Sequence, residues 1–246
     1  MIAILGNGIS AIICAICLDR LNIEYEIFGS GKYIAPPLLY LKEDKYHLFD
    51  EYKKDLIKVG YLYENKIYDN LTDELKAAYL KKQNRKVTSS AVSDSVNEYY
   101  AVNLKDVYDN FDKSKIIDKY VTLDEFKEYD LVFNTIIPYE NKESNYLYIK
   151  KEHLDLGQYT YIYDCNLDSS IKRITENYVE YINPVEGSIK IKNYYDEPQI
   201  MQKDNIIYIS RNATQTQLKI ENIIDYIFER FKDAIWKNKR IRRNIR

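Results

Sequence analysis

The hydrophobic pattern opens on an almost unbroken apolar stretch. Ile2 to Leu5 reads as a short buried strand, Gly6-Asn7-Gly8 as a turn, and Ile9 to Leu21 as a helix with apolar or small residues on nearly every face. Tyr25 to Phe28 predicts the next strand. This strand–turn–helix–strand succession is the opening of a nucleotide-binding unit. Pro36-Pro37 then breaks the pattern, and Asp44 to Tyr68 mixes charges and aromatics without a clean period. Thr72 to Gln83 predicts a helix, with Thr72 as N-cap and Asp73 and Glu74 in its first turn. Val87 to Val96 is Ser-rich and loop-like, and Leu104 to Phe111 predicts a short helix.

Lys115 to Leu123 reads as strand. Leu131 to Ile137 is a near-continuous apolar run ending at Pro138, as expected of a parallel strand buried on both faces. Tyr146 to Lys150, Tyr159 to Tyr163, Tyr178 to Ile182 and Ser188 to Ile191 alternate, which predicts an antiparallel sheet with one wet face. Ile206 to Ile209 is a last apolar strand. Leu218 to Trp236 predicts a long amphipathic helix with Leu218, Ile220, Ile223, Ile224, Ile227, Phe228 and Phe231 on or near one stripe. The expected fold is α/β: a Rossmann-like dinucleotide-binding domain from residues 1–40, 112–140 and 200–246. A smaller antiparallel-sheet domain, residues 41–111 and 141–199, is inserted into it.

Composition narrows the chemistry. The 246 residues carry 36 Lys+Arg against 38 Asp+Glu, a net charge of -2, which excludes a globally basic nucleic-acid coat. Three cysteines do not make a paired disulfide framework, and a reducing compartment is the simpler expectation. With two scattered histidines they also argue against a zinc cage. Met1 to Leu18 has no charged side chain, yet it lacks a basic leader region and is interrupted at Gly6 and Gly8. It falls short of the roughly 20 apolar residues that cross a bilayer. The expected location is cytoplasmic, without membrane attachment.

Gly6-Asn7-Gly8-Ile9-Ser10-Ala11 fits G-x-G-x-x-[G/A], directly after a strand and opening a helix. The first glycine permits the tight turn, the second admits a pyrophosphate to the backbone, and the small third residue lets the helix pack on the strand. The free amides and the positive helix end then favour phosphate. A ribose-binding acid is expected about 20 residues further on. That position holds Gly29, in Phe28-Gly29-Ser30-Gly31-Lys32. Three readings stay open: the Gly29–Lys32 backbone with Ser30 holds the ribose, Ser30 and Lys32 face a 2′-phosphate, or the site has decayed.

Residues 1 to 31 resemble the FAD fingerprint of the amine-oxidase-like flavoproteins, with Ala15 and Leu18 at its helix positions. Tyr129 to Pro138 resembles the strand by which the chain of that superfamily returns to its FAD domain. Asn205 to Asn212, followed by Gln217 to Ile227, is similar to the C-terminal strand–turn–helix of UDP-galactopyranose mutase and protoporphyrinogen-oxidase relatives. Tyr161 to Asp164 and Arg173 to Thr175 look like their substrate-domain sheet. The chain departs from the pattern at Gly29, in lacking the Gly-Gly-Arg after the second strand, in having Ser210 where glycine is usual, and in its short length. The resemblance implies FAD as cofactor and oxidation of an amine or other small polar substrate, with mutase-like chemistry as a variant. It also implies that the amides of Thr216 to Lys219, including Gln217 and Leu218, face the flavin, with Arg211 near the diphosphate or ring. Two alternatives stand beside it: an NAD(P)-binding reductase using Ser30 and Lys32, or a non-catalytic flavoprotein-fold binding protein.

The C-terminal tail motivates that last alternative. Seven basic residues between Lys232 and Arg246 meet one acid, Asp233, for a net +6 that leaves -8 on the rest of the chain. Lys237 to Arg246 is thus a candidate contact for nucleic acid or an acidic partner, against the plainer reading of a solvated helix end. The remaining features read as packing. Cys14-Ala15-Ile16-Cys17 has redox spacing but falls inside a helix of small buried residues. Cys165, His47 and His153 stand alone, and the tyrosines of the 146–163 region fit ordinary strand packing.

Overall fold

The computed structural model describes residues 1–30, 38–41, 43–83, 100–140, 145–193, 199–215 and 218–232. In chain order the elements are β1 (Ile2–Leu5), α1 (Ile9–Leu21), β2 (Tyr25–Gly29), β3 (Leu38–Leu41), β4 (Lys53–Leu56), β5 (Val59–Tyr63), β6 (Lys66–Tyr68) and α2 (Asp73–Lys82). Then come β7 (Tyr100–Asn103), α3 (Leu104–Asn110), β8 (Ile116–Asp118), β9 (Leu131–Asn134), β10 (Asn145–Lys151), β11 (Tyr161–Asp164), β12 (Ile171–Thr175) and β13 (Tyr178–Tyr181). The chain closes with β14 (Ile189–Asn193), β15 (Met201–Lys203), β16 (Ile206–Tyr208), α4 (Arg211–Thr214) and α5 (Ile220–Arg230).

The central sheet has the order β15-β16-β9-β1-β2-β8, and all of its pairs are parallel except β15–β16. Parallel strands need cover on both faces. One face, with Ile2, Ile4, Ile27, Phe133 and Ile207, packs under α1, α3 and α5. The other, with Ala3, Leu5, Phe28, Val132 and Tyr208, packs against Val121, Phe126 and Ala213. Every residue of β1 and β9 is buried, as a strand between two layers requires. This is the Rossmann-like α/β arrangement, with strands drawn from three separated stretches of chain.

A second sheet runs β14-β10-β13-β12-β11-β5-β6. It is antiparallel as the alternating pattern predicts, apart from β11 and β5, which pair in parallel. Helix α2 covers one face through Leu75, Tyr79 and Leu80, against Tyr61, Tyr161 and Tyr163. Thr72 caps α2 by accepting from the Leu75 amide at 3.2 Å. A small third sheet, β3-β7-β4, went unread in the sequence, and Leu39 and Val102 from it enter the core beneath α1.

Three predicted elements are shorter than their apolar runs. β9 stops at Asn134, whose Oδ1 accepts from the Ile136 and Ile137 amides and whose Nδ2 donates to the Ile137 carbonyl. That local turn chemistry ends the strand before Pro138. β8 covers only Ile116–Asp118, because the chain then turns to bury Val121 and Phe126. α5 begins at Ile220, after the N-cap Lys219, whose amide donates to Asn222 Oδ1 at 2.9 Å. Among the described residues no helix is long and apolar enough to cross a membrane. Pro36-Pro37, the Ser-rich run Val87 to Val96 and the end of the last predicted helix lie outside the described residues.

Candidate dinucleotide site

The C-terminal ends of β1, β2 and β9 form the rim on which the glycine motif sits. β1 lies in the middle of the sheet, paired with β2 on one side and β9 on the other. Gly6 leaves it at φ +123°, a conformation that favours glycine, and its amide donates to the Phe28 carbonyl at 2.7 Å. A β-carbon at Gly6 would lie 2.3 Å from Thr135 Oγ1. Thr135 is itself fixed: its hydroxyl donates to the Leu5 carbonyl at 2.7 Å, and its carbonyl accepts from Ser210 Oγ at 2.6 Å. Ser210 also accepts from the Ala213 amide at 3.0 Å, so the serine at the usual glycine position serves as the cap of α4.

α1 begins immediately after Gly8, which is extended (φ -82°, ψ 175°). No side chain caps this end, and its first turn holds no acid. The first amides of a helix have no partners within it, and its dipole is positive there. Ile9 and Ala11 are buried beneath it, while Ser10 is half-buried. Gly6, Asn7, Gly8, Ile9, Ser10 and Ala11 are thus brought together at the open end of the helix, with the Gly6 amide engaged by the Phe28 carbonyl and the Ala11 amide by the Gly8 carbonyl.

The rim differs from a standard site at the end of β2. A β-carbon at Gly29 would stand 2.8 Å from both the Asn7 amide nitrogen and the Gly6 carbonyl carbon, and 2.9 Å from Asn7 Cβ. Asn7 Nδ2 donates to the carbonyl of Ser30 at 3.2 Å and closes the same corner. The absent acid is therefore a steric consequence of how the two turns pack. Ser30 is exposed, and Lys32 lies outside the described residues.

At the other end of the rim, Arg211 opens α4 and its Nε donates to the Leu218 carbonyl at 3.1 Å. Leu218 is buried in the core under α1, while Thr216 and Gln217 lie outside the described residues. Arg211 faces a charged cluster on the second sheet. Although Arg211 reaches the surface, partial desolvation and the nearby Arg173 cation pull its guanidinium below the usual arginine range, against the opposing pull of Glu180. Glu180 is buried, pairs with Arg173 Nη2 at 2.5 Å, and lies 3.7 Å from Lys172 Nζ. Burial pushes its carboxyl up, but the Arg173 and Lys172 cations outweigh that and hold it below the ordinary glutamate range. Sequence reasoning missed Glu180. The only signal was its place on a strand facing Arg173, which requires the register of β12 against β13.

Cys14 and Cys17 are fully buried in α1, where burial pushes both thiols well above the usual range. Cys165 is buried, its thiol pushed up to about 12. Exposed His47 bonds Asp50 at 3.0 Å, and His153 is exposed. Tyr161 and Tyr163 pack edge to face at 5.3 Å beneath α2. The tail candidate Lys237 to Arg246 lies outside the described residues.

No family profile and no curated protein sequence matches the chain. Solved structures do. The PF1083 protein of Pyrococcus furiosus superposes with a TM-score of 0.53 at 9% identity, covering 95% of this chain and 97% of that one. P. aeruginosa PqsL in complex with 2-aminobenzoylacetate gives 0.53 at 9% identity, covering 92% and 83%. The p-nitrophenol 4-monooxygenase PnpA of Pseudomonas putida gives 0.52 at 8% identity, covering 95% and 80%. At these identities the likeness establishes a shared fold. The chain also matches two Klebsiella pneumoniae HpxO structures at TM-scores of 0.41 and 0.42 and 9% identity, covering 74% and 73% of this chain but only 55% and 56% of theirs.

Proposed function

We propose that the chain is an FAD-binding flavoprotein that acts as an oxidoreductase on a small polar substrate. The observation that carries this reading is the uncapped N-terminus of α1, presented by the Gly6–Gly8 turn at the end of the central parallel strand. The amides from Gly8 to Ser10 would hold the diphosphate, and Ala11 lets the helix sit close enough for them to do so. Arg211 Nε donates to the carbonyl of Leu218, just before α5. When bound, FAD supplies the redox chemistry of its isoalloxazine; binding and orientation fall to the chain. The fold shared with p-nitrophenol 4-monooxygenase supports an oxidoreductase.

The second sheet is the proposed substrate side. Lys172, Arg173 and Arg211 all act electrostatically on the buried carboxylate of Glu180, which gathers three cationic groups on this side. That balance favours a substrate bearing a carboxylate or another anionic group over a cationic amine. Titration of the purified chain with FAD, followed by flavin fluorescence, tests the cofactor reading. One FAD per chain is expected, with binding abolished in Gly8→Glu, which puts a carboxylate at the open end of the helix. Equal binding by Gly8→Glu would contradict the reading.

A further inference from the structure

We propose that Asp118 supplies the carboxylate that holds the adenosine ribose of the bound dinucleotide. This rests on the dinucleotide reading above and deepens it. A ribose acid at the end of β2 is excluded by contacts with main-chain atoms, which cannot swing aside as a flexible side chain would. The neighbouring strand supplies a substitute. β8 pairs with β2 in parallel, and Gly29 and Asp118 are register partners at the end of that ladder.

The facing follows from the pleat. Side chains alternate along a strand, so residues two apart share a face. Ile27 lies in the core under α1, and its partner Ile116 packs against the same core. Two residues on, Gly29 and Asp118 therefore address that same α1 side, where the Gly6–Asn7 turn meets Gly29. Asp118 stands one strand spacing, about 4.8 Å, from the position where an acid is expected.

Asp118 is exposed, and among the described residues its carboxylate makes no hydrogen bond or ion pair. Among the described residues, the cations beside it in sequence are engaged elsewhere: Lys115 pairs with Asp19 at 3.0 Å, and Lys119 pairs with Glu125. Of the nearby acids, Asp112 accepts from both the amide and the hydroxyl of Ser114. An ionised carboxylate is acceptor-only, so Asp118 suits a vicinal diol, whose two hydroxyls both donate. The same charge repels a 2′-phosphate, which selects against a phosphorylated ribose.

The test compares ADP with 2′-deoxy-ADP by calorimetry on the full chain, first showing that ADP competes with FAD. The wild-type chain should prefer ADP by about 10- to 100-fold, the range of a hydrogen bond to a charged group. Asp118→Ala should abolish this preference: ADP and 2′-deoxy-ADP fall to a common level, ADP by the larger factor because it loses both hydroxyl contacts and 2′-deoxy-ADP only that of its 3′-hydroxyl. Asp118→Ala retaining the full preference overturns the assignment, as does Ser30→Ala abolishing it. Loss of discrimination between ADP and IDP in Asp118→Ala, with the ribose preference intact, overturns it in favour of a base contact. A wild-type chain that binds neither FAD nor ADP refutes the dinucleotide reading and this proposal with it, whereas binding without an Asp118 effect refutes this proposal alone.

Discussion

A β-carbon at Gly29 would stand 2.8 Å from the amide nitrogen of Asn7, so the last residue of β2 and the middle of the glycine turn are packed as closely as main chain allows. Restoring the expected acid is therefore predicted to harm the protein. Gly29→Glu forces the two turns apart and should cost about 1–3 kcal/mol, the usual penalty of overpacking. It should also weaken FAD binding, because Asn7 lies inside the phosphate turn. Urea denaturation and FAD titration of the variant measure both effects. Wild-type stability with tighter FAD binding would show that the corner has room for a side chain.

Glu180 gives the second sheet a pH dependence. Its folded carboxyl is held below the ordinary glutamate value of about 4.3 by Arg173 and Lys172, in spite of burial. The folded form therefore stays ionised where the unfolded chain takes up a proton. This contribution is complete above the unfolded value and is lost as pH falls through the lower folded one. Glu180→Gln should cost about 1–3 kcal/mol at neutral pH by removing the buried charge that pairs with the half-buried Arg173 and Lys172. The penalty should shrink as pH is lowered through the acid range. Urea midpoints from neutral to acid pH check this, and a penalty that does not vary with pH would refute the pairing.

Lys82 and Asp164 form a second buried pair, with side chains only 1% and 3% exposed. Lys82 Nζ lies 3.3 Å from Asp164 Oδ1 and donates to the Asp164 carbonyl at 2.8 Å. The aspartate also accepts from the Asn166 amide and from Ser169 Oγ. Burial pulls the Lys82 ammonium below its ordinary range, and Asp164 opposes this. Asp164→Asn alone should cost about 3–5 kcal/mol, because it leaves a buried cation without its counter-charge. Adding Lys82→Met should recover much of that loss. Strictly additive costs in the double mutant would mean the two charges are not coupled.

The sequence was most legible where local pattern and burial agree. The boundaries of α1 match the apolar run from Ile9 to Leu21, and Thr72 announces its helix by a cap that is formed in the fold. The β5–β6 hairpin stayed hidden because its turn is Glu64-Asn65, both residues at positive φ (49° and 62°), without the glycine that usually marks such a turn. β9 looked longer than it is because the side chain of Asn134, and not a glycine or proline, ends it. At the site, the glycine motif was visible as a string of residues. The Asn7–Gly29 packing and the Gly29–Asp118 register were not, since both join residues far apart in the chain and depend on strand order. The Glu180–Arg173 pair was hidden for the same reason.

The most direct test of the central claim is the visible absorbance of the freshly purified full chain, followed by denaturation and identification of any nucleotide released. The account predicts a flavin spectrum and released FAD, or, where the chain is purified colourless, stoichiometric uptake of added FAD. A colourless chain that takes up no added FAD would contradict it.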